Sequence, residues 1–216
     1  DYTQSLNRFD ITKSLQEEIK WATCIVIGPG IGTAEPAGIM LDEVLKEKNK
    51  AVVIDADGLN VLAKKETYFV KREDGTRKIC LPENVVLTPH LQEMTRLTRF
   101  ELPAIRAKIV EQALLSLESA NCQTLVLKDA RTVVTDGGEV YINTTGNNAL
   151  STGGTGDVLS GMIAGLLAQG MRPKRAAVLG VCLHGIAAEE YVRRKGGRYS
   201  MMAGDLLDML QEILPK

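Results

Sequence analysis

The chain has 216 residues, 44% of them hydrophobic and 25% charged, with a net charge of −1. That length suits one domain with a sizeable core. The balanced charge argues against a nucleic-acid or membrane surface, no apolar run is long enough to cross a bilayer, and no signal peptide is expected.

The first twenty residues are polar, with helical spacing from about Ile11 to Ile19 and Thr12 or Ser14 as candidate caps. Cys24-Ile25-Val26-Ile27 is a continuous apolar run, the pattern of a parallel strand covered on both faces. It ends in Gly28-Pro29-Gly30-Ile31-Gly32-Thr33, and a helix follows from about Glu35 to Lys48. The order repeats: Ala51–Ile54 reads as a strand closing on Asp55-Ala56-Asp57-Gly58-Leu59-Asn60, with a short helix to Ala63. Residues 66–82 are less regular, and Asp74-Gly75 marks a turn in a hairpin or exposed excursion. Val85–Leu87 is a third strand closing on Thr88-Pro89-His90. Helical spacing resumes through Met94 and Leu97, and again from Pro103 to Ser119, with Pro103 suited to a first turn. Thr124–Leu127 is a fourth strand, ending at Lys128. Thr132–Thr135 and Glu139–Asn143 read as two strands joined by the turn Asp136-Gly137-Gly138. Helices then run over about 156–169, 173–194 and 203–214, with Gly170 and Gly196-Gly197 as stops.

Strands alternating with helices imply an α/β fold, a mostly parallel central sheet with helices on both faces in three layers. Ligands of such sheets bind beyond the carboxyl ends of the strands. The polar clusters gather there, so one edge of the sheet should carry the whole site.

The four cysteines are scattered, with no C-x-x-C pair, which excludes the usual zinc and thioredoxin-like patterns. Cys24, Cys122 and Cys182 lie in or beside apolar runs and read as small core residues. A reducing, cytoplasmic setting is expected.

The chemistry concentrates in Asn143 to Gly161, N-T-T-G-N-N-A-L-S-T-G-G-T-G-D-V-L-S-G. Gly153, Gly154 and Gly156 let the backbone turn its N–H groups inward, and helical spacing starts just after Asp157. A glycine-rich helix N-terminus favours phosphate through its free N–H groups and dipole. Asp157, the one acid in that nest, is either a cap or a base acting beside the phosphate; three glycines and two threonines around it favour the base. Gly28 to Gly32 contains G-x-G without a third glycine at dinucleotide-fold spacing, so a Rossmann site is disfavoured. Asp55, Asp57 and Asn60 place hard oxygen atoms at a strand end, suited to a cation or a substrate hydroxyl, or, more simply, Asp57 or Asn60 caps a helix. Asp55 is read as a buried structural acid and Asn60 as the site residue. His90 is one of two histidines and shares the sheet edge with the other polar loops, which favours ligand contact over a satisfied polar role. His184 sits in a helix beside Val181, Cys182 and Leu183 and is read as structural.

G-G-T-G-D resembles the anion-hole motif of ribokinase-like kinases. The longer string from Asn143 to Gly161 is similar to that of the ADP- or ATP-dependent NAD(P)H-hydrate dehydratases, a branch that repairs hydrated nicotinamide cofactors. G-P-G-I-G, D-A-D-G-L-N, T-P-H-x-x-E and K-x-x-x-T, with Asp129 in place of a usual glycine, match the same family from about Ile25 onward. The resemblance implies that Gly30, Gly32, Asn60, His90, Glu93 and Asp157 contact the hydrated substrate. It implies that Lys128, Asp129, Ala130, Arg131, Thr132, Asn147, Gly153, Gly154, Thr155 and Gly156 hold the nucleotide, with the Asp129 carboxylate turned away. Asp157 is the catalytic base, magnesium assists, and Glu93 is its candidate ligand. Homo-oligomers and a fused or separate epimerase partner are implied too. Family members carry a further glycine-rich strand–helix segment ahead of Asp1, so residues 1–216 are expected to be one N-terminally incomplete domain. A ribokinase-like alcohol kinase of the hydroxymethylpyrimidine or hydroxyethylthiazole type, or a nucleotide-binding module without turnover, are the alternatives.

Overall fold

A computed structural model describes residues 8–118 and 123–214. The expectations for Cys122 and for the end of the helix at Ser119 fall outside them.

The central sheet has six strands in the order β1-β2-β5-β6-β7-β8: β1 (Cys24–Ile27), β2 (Ala51–Ile54), β5 (Val85–Leu87), β6 (Thr124–Leu127), β7 (Val133–Thr135) and β8 (Val140–Ile142). The first four are parallel, and β7 and β8 add an antiparallel hairpin. A separate hairpin of β3 (Phe69–Lys71) and β4 (Arg77–Ile79) turns at Asp74-Gly75. There the Asp74 carboxylate accepts the Thr76 N–H at 2.9 Å.

Alternation along the strands sorts the core into two layers. Val52, Ile54, Val85, Leu87, Leu125 and Leu127 face one side. They pack on α1 (Arg8–Trp21), α2 (Glu35–Leu45), α3 (Ala56–Leu62), α4 (Leu91–Thr98), α5 (Leu102–Ala107) and α6 (Ile109–Leu115). Val53, Val86, Val126 and Val134 face the other, under α7 (Thr155–Ala168) and α8 (Pro173–Lys195). α9 (Ala203–Ile213) closes a third cluster against α8. This is the expected three-layer α/β/α arrangement.

Five local expectations need correction. α1 already runs from Arg8, so Thr12 and Ser14 lie inside it and cannot be its caps. Among the described residues β1 is the outermost strand and pairs with β2 alone, and Val26 stays 41% exposed. The helix expected from Pro103 is two short helices, because Lys108 leaves the helical region at φ −139°, ψ 53°. Asp55, rather than Asp57 or Asn60, caps α3. Cys24 and Cys182, read as core residues, are only half-buried. Among the described residues no helix is long and apolar enough to cross a membrane.

Candidate functional site

β1, β2, β5 and β6 are neighbours, so the loops leaving their carboxyl ends lie side by side. Backbone bonds stitch them together: Asp55 N–H to Ile27 O, Thr88 N–H to Ile54 O, and Lys128 N–H to Pro89 O at 2.8 Å. The first two loops also need one close approach. A Cβ on Gly28 would stand 1.7 Å from the Asp55 carbonyl oxygen, and one on Gly58 2.7 Å from that of Ile27. Glycine at both positions is what lets the β1 and β2 loops touch.

A cavity opens at this edge. It is lined by His90, the run from Lys128 to Thr132, residues of the loop between Asn143 and Ser151, and Thr155 and Gly156 at the start of α7. The N-cap of α7 is Gly154, in the left-handed region at φ 87°. The loop ahead of it is fastened to α8. Thr145 Oγ1 donates to Cys182 O at 3.0 Å, the Asn147 amide to Ala188 O at 3.1 Å, and the Gly146 N–H to Glu189 Oε1 at 2.8 Å. A Cβ on Gly185 would meet Thr145 Oγ1 at 2.2 Å, so the glycine in α8 makes room for the loop.

Lys128 reaches under this helix start. Its ammonium donates to Asp55 Oδ1 at 2.8 Å, and a Cβ on Gly156 would lie 3.5 Å from Lys128 Nζ. Asp55 is 2% exposed; its Oδ2 accepts from Ser160 Oγ at 2.7 Å. Asp129, Ala130 and Arg131 are exposed, and Arg131 donates to Thr144 O at 3.0 Å.

His90 is the N-cap of α4. Its Nδ1 accepts the Gln92 and Glu93 N–H groups, both at 3.1 Å, which leaves the ring hydrogen on Nε2. Glu93 returns the contact, Oε2 accepting the His90 N–H at 2.8 Å, a capping box closed by histidine. The other carboxylate oxygen of Glu93 lies 3.5 Å from His90 Nε2. Glu93 is thus 5% exposed and engaged on His90. Among the described residues no three His, Cys, Asp or Glu side chains cluster as metal ligands. This arrangement does not fit a magnesium ion held by protein side chains alone; one bound with a nucleotide takes most of its ligands from phosphate and water.

The remaining expected residues lie outside the cavity lining. Asp157 is in the first turn of α7 and exposed. Gly30 and Gly32 are exposed in the β1 loop, where the Gly32 N–H donates to Asp57 Oδ2 at 3.0 Å. Asn60 accepts from Arg96 at 3.0 Å. Gly153 and Gly154 are exposed, and a Cβ on Gly154 would stand 3.2 Å from the Ala203 Cβ at the start of α9.

His184 lines the cavity, which the sequence reading did not anticipate. It is 7% exposed, and its Nε2 lies 2.9 Å from the Thr155 carbonyl oxygen in the first turn of α7. Burial, helped by the charge of Lys128, pushes its imidazole down to about 4 from an ordinary 6.5. The folded chain therefore favours the neutral ring, and the unfolded chain takes up the proton first as pH falls. Stability is expected to be full above pH 6.5 and to drop between 6.5 and about 4, by on the order of 3 kcal/mol at the limit. Urea midpoints at pH 7.5 and 4.5 measure this, and His184→Gln should flatten the difference. A parallel loss in both proteins would assign the acid sensitivity to other groups.

With this geometry in hand, comparison with known proteins is direct. The sequence profile described as NAD(P)H-hydrate dehydratase matches residues 3–212. The bifunctional NAD(P)H-hydrate repair enzyme of Moorella thermoacetica is 42% identical over 95% of this chain and 37% of its own length. The chain thus spans just over a third of that relative. The ADP/ATP-dependent NAD(P)H-hydrate dehydratase of Bacillus subtilis, crystallised with ATP and Mg2+, superposes with a TM-score of 0.72 at 34% identity. That match covers 88% of this chain and 63% of the other. A ribokinase-like superfamily protein from Enterococcus faecalis superposes with a TM-score of 0.73 at 28% identity, over 96% of this chain and 68% of its own. The fold is therefore ribokinase-like, and the chain belongs to the NAD(P)H-hydrate dehydratase family.

Proposed function

We propose that this chain carries the ADP- or ATP-dependent dehydration of hydrated NADH and NADPH. The observation that carries the reading is the convergence of His90, Lys128 and Gly156 on one cavity at the carboxyl edge of the sheet. The nucleotide phosphates lie against Lys128 to Thr132 and the start of α7, where the ammonium and the helix N-terminus meet their charge. Asn147 and Gly153 to Gly156 shape that cradle. The hydrated nicotinamide lies toward Gly30, Gly32, Asn60 and His90, with the Nε2–H of His90 as a donor. The Asp157 carboxylate takes the proton of the ring hydroxyl while the hydroxyl oxygen bonds to the terminal phosphorus. The bond from that phosphorus to the nucleotide breaks, leaving AMP or ADP. The carbon–oxygen bond then breaks as phosphate departs, the adjacent ring carbon gives up a proton, and the ring double bond returns. Donors held along the path of the transferring oxygens stabilise their charge without rearranging. An epimerase partner, fused or separate, and assembly with copies of itself complete the proposal.

The test mixes protein, magnesium, ADP or ATP and hydrated NADH, and follows recovery of NADH absorbance. Nucleotide-dependent recovery is expected. Nucleotide binding without recovery would favour a regulatory module, and phosphorylation of a vitamin alcohol in its place would favour a kinase.

A further inference from the structure

Asp55 is buried, and no step of the proposed chemistry assigns it a role. Both its oxygens are engaged. Oδ1 accepts the Lys128 ammonium at 2.8 Å and the Ala56 N–H at 2.9 Å. Oδ2 accepts from Ser160 Oγ at 2.7 Å, one turn along α7 from Gly156. Ser160 Oγ in turn lies 3.4 Å from Thr88 Oγ1. Two features single this cluster out. A buried ion pair is weak evidence for stability, because desolvation offsets its attraction. The backbone next to it is strained as well: Ala56, a non-glycine residue, is left-handed at φ 46°. Strain of this kind persists where surrounding contacts hold a group in a required place.

The group so held is the end of a flexible four-carbon side chain. Without Asp55, the Lys128 stem would sample many rotamers, and a ligand phosphate would have to immobilise it on arrival. We propose that Asp55 is a positioning residue: it fixes the Lys128 ammonium beneath the first turn of α7, ready for nucleotide phosphate, and acts on nucleotide affinity through Lys128. This rests on the proposed use of Lys128 as a phosphate contact.

The test is a double-mutant cycle read by direct titration of ADP and ATP, with no hydrated cofactor present. Asp55→Asn keeps the shape and an acceptor for Lys128 and for the Ala56 N–H but removes the charge. It is expected to weaken nucleotide binding about tenfold, the scale of immobilising one long side chain. In a Lys128→Met background the same change should move affinity less than about twofold. Ser160→Ala, which removes Asp55's other partner and leaves Lys128 alone, should also stay within about twofold. Melting curves accompany each variant. Should Lys128→Met fail to fold, the contrast between Asp55→Asn and Ser160→Ala decides. Equal losses from Asp55→Asn in both backgrounds, a loss from Ser160→Ala as large as that from Asp55→Asn, or tighter binding by Asp55→Asn would each overturn the inference and leave the functional reading standing. Wild-type protein that binds neither nucleotide would overturn both.

Discussion

Replacing Asp157 with asparagine is expected to slow restoration of NADH by about a hundred- to ten-thousand-fold, the range in which a positioned general base contributes. The change is nearly isosteric. It leaves the left-handed Gly154 cap, the first turn of α7 and the Thr155 carbonyl bound by His184 as they are. Lys128 and its partner Asp55 lie below Gly156, so the phosphate contact is untouched. Nucleotide affinity should therefore hold within about twofold or tighten slightly, since a negative charge leaves the vicinity of phosphate. The loss should appear in kcat, with little change in nucleotide KM. Asp157→Glu, which keeps the carboxylate but moves it by one methylene, should recover part of the rate. The exposure of Asp157 bears on this outcome. Exposure in the first turn of α7 suits a base met by an incoming substrate hydroxyl and suits a helix-terminal charge equally well. Near-normal turnover by Asp157→Asn would reduce the residue to that second role.

How far the sequence could be read depended on how local each signal was. Runs such as Ala51–Ile54 and Val85–Leu87 are apolar throughout because helices cover both faces of the inner strands, and they became β2 and β5. At Cys24–Ile27 the same pattern gave the parallel strand but overstated its cover: among the described residues β1 pairs with β2 alone and Val26 stays exposed. The break at Lys108 was hidden too: nothing in Leu102 to Leu115 but the backbone angles of one lysine marks it. For the candidate site, the glycine nest and His90 stood out by their places at helix and strand ends, and Lys128 through the family resemblance. What distance in the chain concealed were the long-range contacts. Asp55 and Ser160 are 105 residues apart, and His184 meets Thr155 across 29. The glycines Gly180 and Gly185, inside an otherwise ordinary helix, were the available clue. Each allows a close approach, Gly180 to Ile163 of α7 and Gly185 to Thr145 of the loop, and so marks the face of α8 on which His184 works.

The glycines of the β1 loop divide by the same physical criterion, and that division yields the largest expected effect on stability. At Gly28, φ is +137° and an added Cβ would lie 1.7 Å from a backbone carbonyl oxygen, that of Asp55. Neither a rotamer change nor a small side-chain shift relieves a clash with backbone. Gly28→Ala must push the β1 loop off the β2 loop and disturb the carbonyl of the residue that holds Lys128. A loss above about 4 kcal/mol is expected, most of the margin of a chain at the low end of the usual range of about 5–15 kcal/mol. Gly30 and Gly32 are also left-handed, at φ +70°, but open space surrounds the Cβ position at each. Alanine there should cost about 1–2 kcal/mol in backbone strain and leave the fold intact. If these two glycines face the hydrated nicotinamide, Gly30→Ala and Gly32→Ala should raise the KM for the hydrated cofactor well beyond what their melting temperatures explain, while nucleotide KM stays unchanged. Unaltered KM values with a small loss of stability would leave both as turn residues only. Gly28→Ala that melts like the parent protein would show that the β1 and β2 loops do not need the contact described here.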